Sequence, residues 1–136
     1  MRYLKLFEYY NDLESDLVKY GINNYIINND GTIDVDGNVN LYYRHLYQIP
    51  FQFGRVTGDF NCSVNKLKSL EGCPKYVSGR FQCSNNKLVS LKGCPNYVGG
   101  DFRCSNNKLV SLKGCPKHIN GNFYCGNNEI KYIPYD

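Results

Sequence analysis

The stretch FQCSNNKLVSLKGCP, residues 81–95, decides the fold because it recurs along the chain. It returns as FRCSNNKLVSLKGCP at residues 102–116 and as FNCSVNKLKSLEGCP at residues 60–74, and its first part returns as FYCGNNEIKYI at residues 123–133. The step is 21 residues each time, and a weaker copy covers residues 39–56 in the same register. A fixed period of roughly 20–50 residues is typical of solenoids, in which each repeat forms one coil stacked on the last.

Each residue type in the repeat suits a place in such a coil. The phenylalanine and cysteine of F-x-C point to one side of a strand, because successive side chains of a strand alternate between its faces. The asparagine three residues later can bond backbone groups of adjacent coils, so that no buried donor is left unpaired. The leucines then suit a tight helical or extended return, which proline ends, while glycine allows the turn into the next strand. We therefore predict an α+β solenoid with a parallel sheet and coils that start at residues 39, 60, 81, 102 and 123.

The N-terminal part has a different pattern. Apolar residues spaced by three or four along residues 2–20 predict an amphipathic helix that ends at Gly21. Residues 25–27 and 32–35 flank Asn29-Asp30-Gly31, which predicts a β-hairpin. We assign residues 1–37 to a cap over the first coil and residues 38–136 to the solenoid. The alternative is that the tyrosine-rich helix is itself a docking face.

The repeat also resembles a known group of proteins. Its core F-x-C-x-x-N-x-L fits the leucine-rich-repeat pattern L-x-L-x-x-N-x-L. The fuller wording C-S-N-N-K-L-x-S-L-x-G-C-P and the lead-in Asp30 to Gly37 resemble the cysteine- and asparagine-rich leucine-rich-repeat proteins of tailed bacteriophages and some bacteria. The resemblance covers about Ile26 to the end of the sequence. It implies a leucine-rich-repeat solenoid that binds a partner, and the phage-like wording implies a host-directed binder or inhibitor in the bacterial cytoplasm.

The seven cysteines follow the repeat. Cys62, Cys83, Cys104 and Cys125 take the inward strand position, and Cys73, Cys94 and Cys115 form a second row on the return. Their spacings of 10 and 11 residues differ from the C-x-x-C pairs that zinc sites favour. We expect buried thiols that act as small hydrophobic side chains, with disulfides and metal binding as the alternatives.

Chemistry of other kinds finds little support in the sequence. His45 and His118 occupy different repeat positions about three coils apart, so they cannot share a metal or a catalytic dyad. A calcium loop around Asp30 fails at both ends, because Ile26 and Gly37 stand where acidic ligands belong. Neither glycine-rich nucleotide motif is present. We predict a protein that is not an enzyme, with no catalytic residue, no cofactor and no metal site.

A binding face is expected on the outward strand positions, which by register are 59, 61, 63 and 64 and their relatives one repeat away. Tyrosine and arginine, which dominate binding energy at interfaces, occur there among small polar residues. The predicted partner-binding residues are Tyr42, Tyr43, Asp59, Asn61, Arg80, Gln82, Asp101, Arg103 and Tyr124. We predict a protein–protein interaction module that binds through this concave face, and an ordinary solvated sheet face is the alternative.

Lysines form rows of their own on another side of the coils. Lys66, Lys87 and Lys108 share one position, and Lys92 and Lys113 share another with Glu71 in the third register. The net charge is only +4, which is far from the profile of a strong nucleic-acid binder. A solvated lysine row that discourages aggregation is the favoured interpretation, and binding of nucleic acid or an anionic surface is the alternative function.

The ends of the chain carry further expectations. Met1 to Glu8 lacks the basic-then-apolar layout of a secretion signal, and no apolar run approaches the roughly 20 residues that span a bilayer. We expect a cytoplasmic protein without membrane contact. Tyr132, Pro134 and Tyr135 are expected to fold back as a minimal cap on the last coil, which favours a monomer. An end-to-end homodimer is the alternative.

Overall fold

A computed structural model describes the backbone of residues 2–131 and the side chains of residues 8–131. Within that part of the chain, one helix is followed by eleven short strands. The helix is α1 (Arg2–Lys19), and the strands are β1 (Tyr25–Ile27), β2 (Ile33–Val35), β3 (Val39–Asn40), β4 (Phe53–Val56), β5 (Phe60–Asn61), β6 (Tyr76–Val77), β7 (Phe81–Gln82), β8 (Tyr97–Val98), β9 (Phe102–Arg103), β10 (His118–Ile119) and β11 (Phe123–Tyr124). The predicted tail cap of Tyr132, Pro134 and Tyr135 lies outside the described residues.

The strands form two sheets that run along the solenoid. The first sheet has the order β1-β2-β4-β6-β8-β10, and the second sheet has the order β3-β5-β7-β9-β11. Every pair is parallel except β1 with β2, which form the predicted antiparallel hairpin. Partners in the repeats lie 21 residues apart, and Val39 pairs with Phe60, which confirms the weak first repeat. The predicted α+β solenoid is therefore confirmed.

The return of each coil differs from the sequence expectation, which left it helical or extended. It ends in a strand of its own, such as Tyr76–Val77, and these strands build the first sheet. Residues 78–80 then turn the chain by a tight corner into the second sheet at Phe81. Val77 is buried while Tyr76 faces outward, so the two residues of this strand are enough to fix which face of the strand packs on the core. Each of the first four coils thus carries two strands and presents a separate outer face on each sheet.

The core is a set of stacked rows that run along the solenoid. Phe60, Phe81 and Phe102 are fully buried, and their rings stack in sequence with centroids 5.6 and 5.5 Å apart. Leucines and cysteines at equivalent positions of the coils complete the interior. Fully burying one such side chain stabilises the fold by about 1.5–3 kcal/mol. The rows leave the outward positions free of any role in the core.

Asparagines bind the coils to one another, as predicted. Asn86 is only 8% exposed, and its Oδ1 accepts the backbone N–H of Leu67 in the preceding coil at 3.0 Å. Its Nδ2 donates to the carbonyl oxygens of Cys62 and Cys83, each at 3.1 Å. Asn107 repeats the pattern one coil later. One side chain therefore satisfies backbone groups on two coils where water cannot reach them.

The N-terminal segment joins the same core. Gly21 has φ of +74° and ends α1, while the N–H groups of Gly21 and Ile22 donate to Val18 and Leu17 carbonyls at 2.9 Å, the pattern of a Schellman motif. Leu17 and Ile22 are buried against the first coil. The predicted helix and its stop at Gly21 are thus confirmed. The second hairpin strand, β2, pairs with β4 and starts the parallel part of the first sheet.

Within residues 2–131, no helix combines the length and the apolar character that crossing a bilayer would require.

Candidate partner-binding site

The outward side chains of the second sheet form one row across neighbouring coils. Asn61, Gln82, Arg103 and Tyr124 are the second residues of β5, β7, β9 and β11, and the parallel register sets them side by side. Each follows a phenylalanine that points into the core. Because coils are about 4.8 Å apart, the row is a continuous strip rather than a set of isolated residues.

A shallow depression of about 350 Å³ lies along this strip. Tyr42 and Tyr124 belong to its lining at opposite ends of the second sheet, and Gln82 and Arg103 belong to it between them. Polar side chains of serines and asparagines fill the rest of the lining, with Val64 as the aliphatic exception. Of the nine residues predicted to bind a partner, the structure therefore brings four to one depression.

Arg103 is held in place at one end of the depression. Its guanidinium carbon lies 4.3 Å from the centre of the Tyr124 ring, and its Nη2 lies 3.6 Å from Asp101 Oδ2. Its Nε is buried without a hydrogen-bond partner among the described residues. About 42% of the side chain remains exposed. Stacking fixes the plane of the guanidinium, so part of the entropy cost of binding has already been met before a partner arrives.

Asp59, Asp101 and Arg80 lie apart from the depression, at the corner between the two sheets. Asp59 Oδ1 accepts the backbone N–H of Arg80 at 2.8 Å, and Asp101 Oδ1 does the same for Asn122 at 2.8 Å. Arg80 Nε is 3.9 Å from Asp59 Oδ2, with both side chains well exposed. The two carboxylates therefore fasten one coil to the next, which is a structural role that sequence reasoning did not assign.

An aromatic group marks the N-terminal end of the second sheet. Tyr42 and Tyr43 are 50% and 59% exposed, and their ring centroids are 6.3 Å apart. The His45 ring lies 5.0 Å from Tyr43, and Tyr47 is 71% exposed. His45 and Tyr47 were not among the predicted binding residues, although their position in the sequence close to Tyr42 and Tyr43 indicates that they belong to the same aromatic group.

Tyr43 has an uncommon backbone conformation. Its φ is +53°, and the same position in later coils is Val64, Asn85, Asn106 and Asn127, all between +52° and +57°. Asparagine tolerates this left-handed region, whereas a bulky side chain is strained there by about 1–2 kcal/mol. Strained residues persist mainly where function requires the side chain. Where most other coils have an asparagine that tolerates this conformation, the first coil thus has a tyrosine that exposes its ring and lowers stability.

Ser63 corrects one detail of the predicted face. The register places it among the outward positions, yet it is only 6% exposed. The equivalent residues Ser84 and Ser105 are half-buried, and Ser63 lines the depression together with them. The Ser63 hydroxyl accepts the backbone N–H of Ser84 at 3.1 Å. Ser63 therefore keeps its place in the depression but offers little exposed surface to a partner.

The thiols are placed inside the coils. All seven are free, five are buried, and Cys115 and Cys125 are half-buried. Burial, reinforced by a neighbouring thiol, raises the pKa of Cys94 and of Cys104 from 9.0 to about 12. Cys94 Sγ donates to the Gly114 carbonyl at 2.8 Å. In the described part of the chain, no three His, Cys, Asp or Glu side chains converge on a point that could hold a metal ion.

Comparison with known proteins gives no relative. The chain matches no protein-family model, and no curated protein or solved structure is significantly similar to it.

Proposed function

We propose that this chain is a non-enzymatic protein-binding module that holds its partner on the outer face of the second sheet. The observation that carries the proposal is the depression with Tyr42 at one end and the Arg103–Tyr124 stack at the other. Tyrosine and arginine are enriched among residues whose loss costs most in binding. Small polar side chains between them offer adaptable hydrogen bonds.

The size of the face agrees with this role. Five strands at about 4.8 Å spacing give roughly 20 Å of width, which accommodates a large part of a standard patch of about 800 Å² per partner. Tyr42, Tyr43 and Tyr47 extend the exposed aromatic surface beyond the sheet edge. We therefore place the binding energy on Tyr42, Tyr43, Arg103 and Tyr124.

The strain at Tyr43 supports the same proposal. A folding advantage would favour asparagine there, which three of the four equivalent positions in the other coils contain. Retaining a tyrosine that is 59% exposed makes sense when the ring contacts something outside the chain.

The absence of an enzymatic role is also part of the proposal. A thiol whose pKa is about 12, such as Cys94 or Cys104, holds its proton near neutral pH and is a poor nucleophile. His45 comes after β3 of the second sheet, whereas His118 belongs to β10 of the first sheet, so the two histidines do not form a catalytic pair. Given the resemblance of the repeat to phage proteins, a protein of a bacterial host cytoplasm is the partner class to test first.

The test is comparative affinity capture. Tagged wild-type chain and the variant Tyr42→Ala/Tyr43→Ala/Arg103→Ala/Tyr124→Ala are incubated with bacterial lysate, and the captured proteins are quantified by mass spectrometry. Lys87→Ala/Lys108→Ala is the control, because both lysines are exposed and neither lines the depression. The proposal requires a partner that the control retains and the quadruple variant loses, with unchanged far-UV circular dichroism. Equal capture by all three chains would overturn it.

A further inference from the structure

A second concave surface lies on the return side of the coils, away from the proposed binding face. Two depressions of about 570 and 580 Å³ adjoin there and share Lys75, Ser90, Lys92 and Gly93. We call the joined surface the basic trough. It extends from Gln52 of the first coil to Gly114 of the fourth coil.

The trough exists because its floor is made of small residues. Serine recurs at positions 69, 90 and 111, and glycine recurs at 72, 93 and 114. Each serine Oγ accepts the backbone N–H two residues later, at 2.9, 3.4 and 3.3 Å. A hydroxyl that accepts in this way still has its own proton to donate. The floor therefore offers a row of O–H donors.

The rim of the trough is cationic. Lys68, Lys75, Lys92 and Lys113 line it with a single acidic residue, Glu71, so four positive charges and one negative charge give a net charge of +3. All four lysines are exposed. Among the described residues, the ion pairs are formed by arginines with aspartates and involve none of these lysines. The rim charge is thus available to an anionic partner.

Part of the wall is apolar. Val89 and Val110 line the second depression and are 56% and 39% exposed. The lining residues of both depressions include no aromatic side chain and no arginine. Sites for single-stranded nucleic acid combine cations with aromatic stacking, and base readout favours arginine. The lining therefore fits carboxylates and aliphatic side chains better than it fits the bases of a nucleic acid.

We propose that the basic trough binds an extended acidic peptide segment that carries aliphatic side chains. Carboxylates of the peptide pair with Lys75, Lys92 and Lys113 and accept hydrogen bonds from the serine hydroxyls of the floor. An aliphatic side chain of the peptide packs against Val89 and Val110. This surface is independent of the second-sheet face, so either can fail while the other stands.

The experiment measures binding of a fluorescent peptide of glutamate, valine and glycine by anisotropy. A peptide of about eight residues is roughly 26 Å long when extended, so it is longer than the trough and extends beyond both of its ends. The variant Lys75→Gln/Lys92→Gln/Lys113→Gln removes three rim charges. The matched control Lys66→Gln/Lys87→Gln/Lys108→Gln removes three exposed charges that lie outside both depressions. A single-stranded oligonucleotide of similar length is the competing probe.

We expect the rim variant to weaken peptide binding about tenfold, which corresponds to about 1.4 kcal/mol, and the control to change it less than about twofold. Val89→Ser is expected to weaken binding of the valine-containing peptide but not of the same peptide with glycine in place of valine. Equal losses in the two triple variants would reduce the effect to general charge attraction and overturn the proposal. Tighter binding of the oligonucleotide than of the peptide, or no peptide binding at low salt, would overturn it as well.

Discussion

Val64 offers a direct test of how backbone conformation limits stability in this solenoid. Its φ is +57°, and the equivalent residues Asn85, Asn106 and Asn127 lie at +57°, +57° and +52°. A β-branched residue in the left-handed region costs about 1–2 kcal/mol, and asparagine relieves much of that strain. Val64 is half-buried, so replacing it with asparagine gives up some apolar contact. We expect Val64→Asn to raise the free energy of unfolding by about 1 kcal/mol net, and the melting temperature by about 4 °C.

The assay is urea unfolding followed by far-UV circular dichroism, with midpoints compared at equal slope. The reciprocal change Asn85→Val introduces the same strain one coil later and should lower the free energy of unfolding by a similar amount. A lower midpoint for Val64→Asn would refute the reasoning, because it would mean that the valine side chain contributes more through packing than the strain costs.

Three further results are expected. Asn86→Ala should lower the free energy of unfolding by about 3 kcal/mol, because it leaves a buried N–H and carbonyl groups unpaired. Asn128→Ala should lower it clearly less, because Asn128 is only half-buried, and equal losses for the two variants would contradict the burial argument. Ionisation of the Cys94 and Cys104 thiols should leave stability unchanged below about pH 9 and lower it between about pH 9 and 12, because burial raises their pKa from 9.0 to about 12 and the unfolded chain therefore releases these protons first. A urea midpoint that stays the same between pH 9 and 12 would show that burial is incomplete. In thiol titration without denaturant, half-buried Cys115 should react before buried Cys94, and the reverse order would contradict the placement of the two side chains.

Much of the fold was predictable because the same pattern of inward residues recurs in each coil. A spacing of 21 residues in Phe60, Phe81 and Phe102 fixes the register of the second sheet, and the structure pairs these residues directly. In the first sheet, the hairpin of β1 and β2 was predicted, but the strands β4, β6, β8 and β10 on the returns of the coils were not. β6, β8 and β10 have only two residues each, as in Tyr76–Val77, which is too short for alternation to be read from the sequence. The stack of Tyr76 on Tyr97, with centroids 4.5 Å apart, becomes visible only once the strand exists.

The candidate site was predictable in part, for the same physical reason. Gln82, Arg103 and Tyr124 follow from alternation after an inward phenylalanine. Alternation does not show how little of the Ser63 side chain is exposed. It also says nothing of Asp59 and its bond to the backbone of the next coil, which depends on how tightly the corner closes. Sequence periodicity thus identifies inward residues more reliably than it identifies the function of outward ones.

The direction of the asparagine bonds explains why the first coil could diverge. Each repeated asparagine accepts hydrogen bonds from the coil before its own. The Oδ1 of Asn65, for example, accepts from the backbone N–H groups of Arg44 and Leu46 at 3.0 and 2.9 Å. A first coil has no such coil before it, so an asparagine at position 44 could bond only carbonyl groups of its own coil, and arginine stands there instead. The first coil is secured by the second and is free of the constraint that keeps the later coils alike. The end of its strand then carries Tyr42 and Tyr43 where later coils carry serine, glycine, asparagine or valine. The aromatic end of the proposed binding face therefore arises in the coil whose sequence is least constrained by the fold.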